Sequence, residues 1–228
     1  MTGRDRPRRG RFIVLEGGEG SGKTTQATLL SGWMEASGVS HIVAREPGGT
    51  VLGEAIRSVL LDRPELEMPA ESELFLMLAA RAAFVHDVVR PALNEGTVVL
   101  ADRFSLSTLA YQGYGRGLDL DGVRRCLEFA TGGLEPDLYV LLELDPEEGA
   151  RRQRHGGKDH DRIERAGPDF LRRVHEGYMA LAEGKSGAGL AELGIRVVDA
   201  RGAAEDVHVR IRDILIATFP ETFGPAEG

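Results

Sequence analysis

Phe12-Ile13-Val14-Leu15-Glu16-Gly17-Gly18-Glu19-Gly20-Ser21-Gly22-Lys23-Thr24 sets the architecture of this chain. The run Phe12 to Leu15 is apolar without polar alternation, as a strand covered on both faces requires. Gly17 to Thr24 fits G-x-x-x-x-G-K-[ST], the P-loop pattern, which has physical meaning only between a strand and a helix. Its glycines let successive N–H groups curl toward one anion, and the following helix adds the partial positive charge of its N-terminus. Lys23 is then expected to bridge the outer phosphates of a bound nucleotide, and the Thr24 hydroxyl to ligate Mg2+.

Four further apolar runs read as strands: His41 to Ala44, Thr97 to Ala101, Leu138 to Leu144 and Ile195 to Val198. Helical spacing lies between them, with Val123, Leu127 and Ala130 in one segment and Val207, Ile211, Ile214 and Thr218 in another. Alternating strand and helix predicts an α/β fold with an open, doubly wound parallel sheet, whose ligands bind beyond the carboxyl ends of the strands. A length of 228 residues with 42% apolar content suits one well-buried domain. That domain is expected over residues 11–220, after a disordered basic lead-in at 1–10 and before a flexible tail at 221–228. The stretch Arg151 to Asp161 breaks the regular pattern and reads as an exposed loop or a mobile lid at about 150–163.

Composition narrows the partners. A net charge of −8 argues against nonspecific binding of a nucleic-acid polymer or an anionic membrane, because both need a basic face. No run of about 18 apolar residues suggests a membrane span. The single cysteine, Cys126, cannot form an internal disulfide, which fits a reducing cytoplasm. The six histidines show no zinc-type spacing with one another or with Cys126.

The ends of the other strands carry the remaining chemistry. Asp102-Arg103 follows the third strand, where the acid can reach Mg2+ through water and the arginine can reach phosphate. Arg45-Glu46-Pro47-Gly48-Gly49-Thr50 follows the second, and Arg81 stands on an apolar helical stretch. Two arginines beyond the P-loop lysine imply a second phosphate-bearing substrate rather than a water to be activated, because a planar guanidinium suits phosphate. A deoxynucleoside kinase and a noncatalytic nucleotide switch are the alternatives. Arg45 disfavours the first, since a neutral acceptor needs no such clamp.

These pieces, with Ala79-Ala80-Arg81, Ser107-Thr108, Ala110-Tyr111-Gln112 and Asp161-Arg162-Ile163-Glu164, resemble bacterial thymidylate kinase from about Phe12 to Phe219. The resemblance implies the P-loop NTPase fold of nucleoside monophosphate kinases, a five-stranded parallel sheet flanked by helices, working as a homodimer. It implies transfer from Mg-ATP to thymidine 5′-monophosphate (dTMP). Gly17 to Thr24, with Thr25 and the Ala200-Arg201 segment, would hold ATP. Glu19 would meet the sugar 3′-hydroxyl, and Arg45 and Arg103 the acceptor phosphate. Arg81 would donate to a thymine carbonyl, and Thr108 or Ser107 would read the N3 edge. Tyr111 would pack on the deoxyribose, while Glu46, Pro47, Met77 and Gln112 complete the acceptor pocket. Gly18, Glu19, Gly20 and Ser21 carry no base, whereas Arg151, Arg152, Arg154, Lys158 and Arg162 crowd the lid. The chain therefore resembles the subclass whose lid supplies the catalytic arginine, with Arg154 and then Arg152 as candidates. Met77 stands where the family commonly stacks a phenylalanine, and Ala83 where it often has glutamine. Phe75 and Phe84 read as core.

Overall fold

The computed structural model describes residues 10–63, 65–155, 162–184 and 194–224. Five parallel strands run in it: β1 (Phe12–Gly17), β2 (His41–Arg45), β3 (Val98–Asp102), β4 (Leu138–Glu143) and β5 (Ile195–Asp199). Their spatial order is β2-β3-β1-β4-β5. Alternation along each strand explains why no polar face is visible in the sequence. Phe12 and Val14 point into one apolar cluster with Val99, Ala101, Tyr139 and Leu141, while Ile13 and Leu15 join Val98, Leu100 and Val140 in another. Both faces of the central strands β1, β3 and β4 are therefore core, whereas Val43 of the edge strand β2 and Val197 of the edge strand β5 are exposed.

Helices α1 (Lys23–Ala36) and α9 (Ala204–Thr218) cover the second face, with Leu30 and Met34 of one against Val207, Ile211 and Leu215 of the other. The first face is covered by α2 (Val51–Leu61), α3 (Ala70–Phe84), α6 (Leu120–Thr131) and α8 (Pro168–Ala182). The short α4 (Arg90–Asn94) leads into β3, and α5 (Ser105–Thr108) runs without a break into a π-helical stretch, Leu109–Gly115. β1 and β3 are neighbours, yet β1 is followed by α1 on one face and β3 by α5 on the other. Between their carboxyl ends lies the crevice at which open α/β sheets bind ligands. Register places Arg45 of β2 and Leu15 of β1 on either side of Asp102.

The boundaries differ from expectation at three places. Gly10, assigned to the lead-in, is buried and donates its N–H to Leu93 O at 2.9 Å. Residues 221–223, assigned to the tail, belong to α10 (Pro220–Phe223), because Phe223 stacks on Trp33 with ring centroids 5.4 Å apart. The first part of the expected loop is helix, since α7 runs Pro146–His155. Asp145 caps it by accepting from Glu147 N at 2.9 Å. Residues 1–9, the 156–161 portion of the lid with Lys158 and Asp161, and residues 225–228 lie outside the described residues.

Candidate active site

The P-loop closes tightly because it has no side chains where the backbone must pass. Gly17 and Gly20 have φ of 141° and 70°, which L-residues rarely adopt. A Cβ on Gly17 would lie 2.5 Å from Leu142 O, and one on Gly20 would lie 2.3 Å from Gly149 O of α7. Ser21 Oγ donates to Gly18 O at 2.9 Å. The Lys23 ammonium reaches across the loop and donates to Gly17 O at 3.0 Å and Gly18 O at 2.9 Å. Burial and then Arg103 lower its pKa, while Glu19, Asp102 and Glu16 oppose them.

Thr24 Oγ1 donates to Asp102 Oδ2 at 3.0 Å. One hydroxyl and one carboxylate at this spacing are hard oxygen donors of the kind Mg2+ takes when phosphate and water fill its other positions. Among the described residues no three His, Cys, Asp or Glu side chains gather into a metal cage. The Thr24 hydroxyl and the Asp102 carboxylate fit Mg2+ held jointly with a nucleotide.

Arg103 is the junction of the cleft. Its φ of 78° places a non-glycine residue in the left-handed region, at a cost of about 1–2 kcal/mol that the surroundings must offset. Its backbone N–H donates to Leu15 O at 2.9 Å. Its Nη1 reaches Ser107 Oγ at 3.1 Å, Gly17 O at 3.2 Å and Tyr178 OH at 3.2 Å. Its Nη2 pairs with Glu19, and its guanidinium lies 5.0 Å from the centre of the Tyr111 ring. Tyr111 OH donates to Glu19 Oε1 at 2.9 Å.

Glu16 supports this junction from below. It is fully buried and accepts from Ser107 Oγ at 2.6 Å, Phe104 N at 2.8 Å, Tyr178 OH at 2.9 Å and Ser107 N at 3.1 Å. Burial raises its pKa, with Ser107 and Arg103 opposing. The Ser107 hydroxyl is thereby committed to Glu16, which leaves Thr108 as the hydroxyl facing Arg81.

Arg81 is 3% exposed, and each of its three guanidinium nitrogens donates one hydrogen bond, leaving two of its five N–H groups for a ligand. Nε donates to Glu46 Oε2 at 2.7 Å, Nη1 to Thr108 Oγ1 at 2.7 Å and Nη2 to Phe104 O at 3.0 Å. Burial pushes the Glu46 carboxyl up to about 7 against the pull of Arg81. Arg45 is exposed and donates to Glu54 Oε2 at 3.2 Å. Arg57 on α2, which sequence reading missed, donates to Pro47 O at 2.9 Å.

One cleft of about 940 Å³ joins these groups. Every expected site residue lines it except Gly17, Gly18, Arg154 and Arg201, and Arg57 lines it too. Arg201 instead grips Asp199 through Nε at 2.9 Å and Nη2 at 2.7 Å, so Ala200, Gly202 and Ala204 form that wall. Of the two lid candidates, Arg152 lines the cleft and donates to Ala200 O at 3.1 Å, whereas Arg154 is exposed. Phe84 is buried as expected, but Phe75 is 60% exposed and is no part of the core.

The chain is similar in sequence to known proteins over most of its length. A thymidylate kinase family profile matches residues 15–211. A thymidylate kinase of Synechococcus sp. (strain RCC307) is 47% identical over 213 residues, covering 91% of this chain and 96% of that one. One from Gloeobacter violaceus is 49% identical over 202 residues, covering 88% and 92%. One from Carboxydothermus hydrogenoformans is 44% identical over 207 residues, covering 91% and 97%.

Proposed function

The chain belongs to the thymidylate kinase family and is a kinase of dTMP, and on that footing we propose that Mg-ATP is the donor and that one cleft holds both nucleotides. The observation that carries this reading is Arg103, whose guanidinium touches the P-loop at Gly17 O and the acceptor wall at Glu19 and Tyr111.

An oxygen of the dTMP phosphate attacks the γ-phosphorus of ATP in line, the bond to the β-phosphate oxygen breaks, and ADP and the diphosphate leave. The acceptor phosphate is already ionised near neutral pH, so no strong general base is needed. Thr24 and Asp102 would hold Mg2+, which would supply positive charge to the phosphates. Lys23 and an α7 arginine, Arg152 or Arg154, offset charge on the transferring group. Arg45 and Arg103 align the acceptor phosphate, and Glu19 meets the sugar 3′-hydroxyl. Arg81 and Thr108 read the base edge, Met77 contacts its face, and Tyr111 packs on the deoxyribose. Glu46, Pro47 and Gln112 line the same half of the cleft, and the backbone near Ala200 faces adenine.

We read residues 10–223 as one kinase domain whose lid includes α7, acting in the cytoplasm, as the single Cys126 suits. A homodimer completes the reading. Val51 and Leu52 of α2, Phe75 of α3 and Phe129 of α6 are exposed on helices that pack side by side, and the mass of the protein in solution tests it.

Steady-state kinetics of two variants test the division of roles. Lys23→Ala should lose turnover, whereas Arg103→Ala should chiefly raise KM for dTMP, by about a hundredfold for a charged contact. Normal acceptor affinity in Arg103→Ala would remove it from the acceptor site.

A further inference from the structure

Glu73 is a wholly buried carboxylate that does not line the cleft. On α3 it stands at four-residue spacing below Met77 and Arg81, so the three share a helix face. Thr108, Gln112 and Arg116 repeat that spacing from α5 into the π-helical stretch. The two rows face each other and are joined at both ends. Arg81 Nη1 donates to Thr108 Oγ1 at 2.7 Å at one end. At the other, Glu73 Oε1 accepts from Gln112 Nε2 at 2.9 Å and Arg116 Nε at 3.1 Å, and Oε2 from Arg116 Nη2 at 2.9 Å. A third element closes the joint: Arg162 Nη2 donates to Glu73 Oε2 at 2.6 Å while its Nε donates to Leu60 O of α2 at 2.8 Å.

Two guanidinium groups and an amide thus converge on one carboxylate, with two contacts on each oxygen. Its acceptor capacity is filled, and no lone pair is left for a ligand. Burial would raise its pKa, but Arg116, Gln112 and Arg162 bring it below the usual value and keep it ionised. An ionised carboxylate only accepts, so it also fixes which end of the Gln112 amide turns toward it.

We propose that Glu73 is a positioning residue that holds α3 and the Thr108–Arg116 row at a fixed spacing and thereby sets selectivity for the acceptor base. This rests on the reading that the base lies between Met77, Arg81 and Thr108. A purely structural ion pair would stabilise the whole fold without preference between ligands. A spacer acts on the acceptor half, since Glu73 bonds to Gln112, Arg116 and Arg162, none of which belongs to the P-loop.

The test compares wild-type protein with Glu73→Gln and Arg162→Lys. It measures dTMP and nonhydrolysable ATP-analogue affinity by calorimetry, and the kcat/KM preference for dTMP over dCMP. Glu73→Gln keeps the shape but leaves two half-buried cations, Arg116 and Arg162, without their counter-charge. It should weaken dTMP about tenfold, leave the ATP analogue within about twofold, and narrow the dTMP preference. Arg162→Lys loses the forked contact to Leu60 and Glu73 and should act the same way to a smaller degree; it carries the test if Glu73→Gln does not fold. Unchanged dTMP affinity and preference in folded variants, or equal losses for both nucleotides, would overturn the proposal. Wild-type protein that does not bind dTMP would overturn the reading of the cleft itself, and the spacer with it.

Discussion

Glu46 accepts from Arg81 Nε at 2.7 Å through one oxygen, while its other oxygen has no hydrogen-bond partner among the described residues. Burial lifts its carboxyl from 4.5 to about 7, with Arg81 opposing. The folded protein therefore keeps a proton that the unfolded chain releases across that window, so stability falls as pH rises through it. Glu46→Gln cannot ionise and should gain on wild type by up to about 3 kcal/mol between about pH 4.5 and pH 7. Glu16 is present in both proteins, and it enters the difference through its charge, which helps to raise Glu46. Urea unfolding on either side of the window measures the change, and a difference independent of pH would contradict it. Residues at strand ends, such as Asp102, Arg103 and Arg45, were legible because an apolar run followed by a charge marks a sheet's mouth. Glu16 was equally visible, yet its role was not, because its partner Tyr178 comes from α8, 162 positions away. Glu73 and Arg57 gave no sign at all, since one acid or arginine on an amphipathic helix looks like any solvated charge.

The approach of α7 to the P-loop depends on a pair of glycines. A Cβ on Gly149 would lie 2.3 Å from Glu19 O, as one on Gly20 would from Gly149 O. With both bare, the first turns of α7 rest against the loop backbone, and Arg152 three residues on lines the cleft. Gly149→Ala should push α7 outward and lower kcat by about tenfold or more, with KM for dTMP nearly unchanged. Removing Arg152 should then cost less than it does in the wild type, and full wild-type kcat in Gly149→Ala would exclude this role. Sequence placed all five strands within about two residues, because each carries an apolar run, continuous in the buried central strands β1, β3 and β4. It misread α7, whose polar, arginine-rich stretch looked like a loop, and Phe75, because the continuous run Leu74 to Ala79 conceals which side of α3 faces the core. The π-helical stretch Leu109–Gly115 was also invisible, since its extra residue per turn follows from packing. A Cβ on Gly115 would lie 2.6 Å from the Phe170 ring.

At the scale of the whole molecule, the central strands β1, β3 and β4 are buried on both faces and their carboxyl ends open into the cleft, where we propose that both nucleotides meet. In the proposed arrangement curled backbone and Lys23 form one grip and the guanidinium groups of Arg103 and Arg45 the other, with Asp102 between β1 and β2 in register. The order β2-β3-β1-β4-β5 is what brings these strand ends together, and it was not readable from the chain, since alternation of elements fixes the class of sheet but not the sequence of its strands. A coupled assay of ADP release, run with dTMP, with thymidine and with no acceptor, examines the joint occupancy of that edge. Release that requires dTMP is the expected result. Slow release that is the same with and without dTMP, or release that thymidine supports instead, would contradict a cleft built to bring two phosphates together.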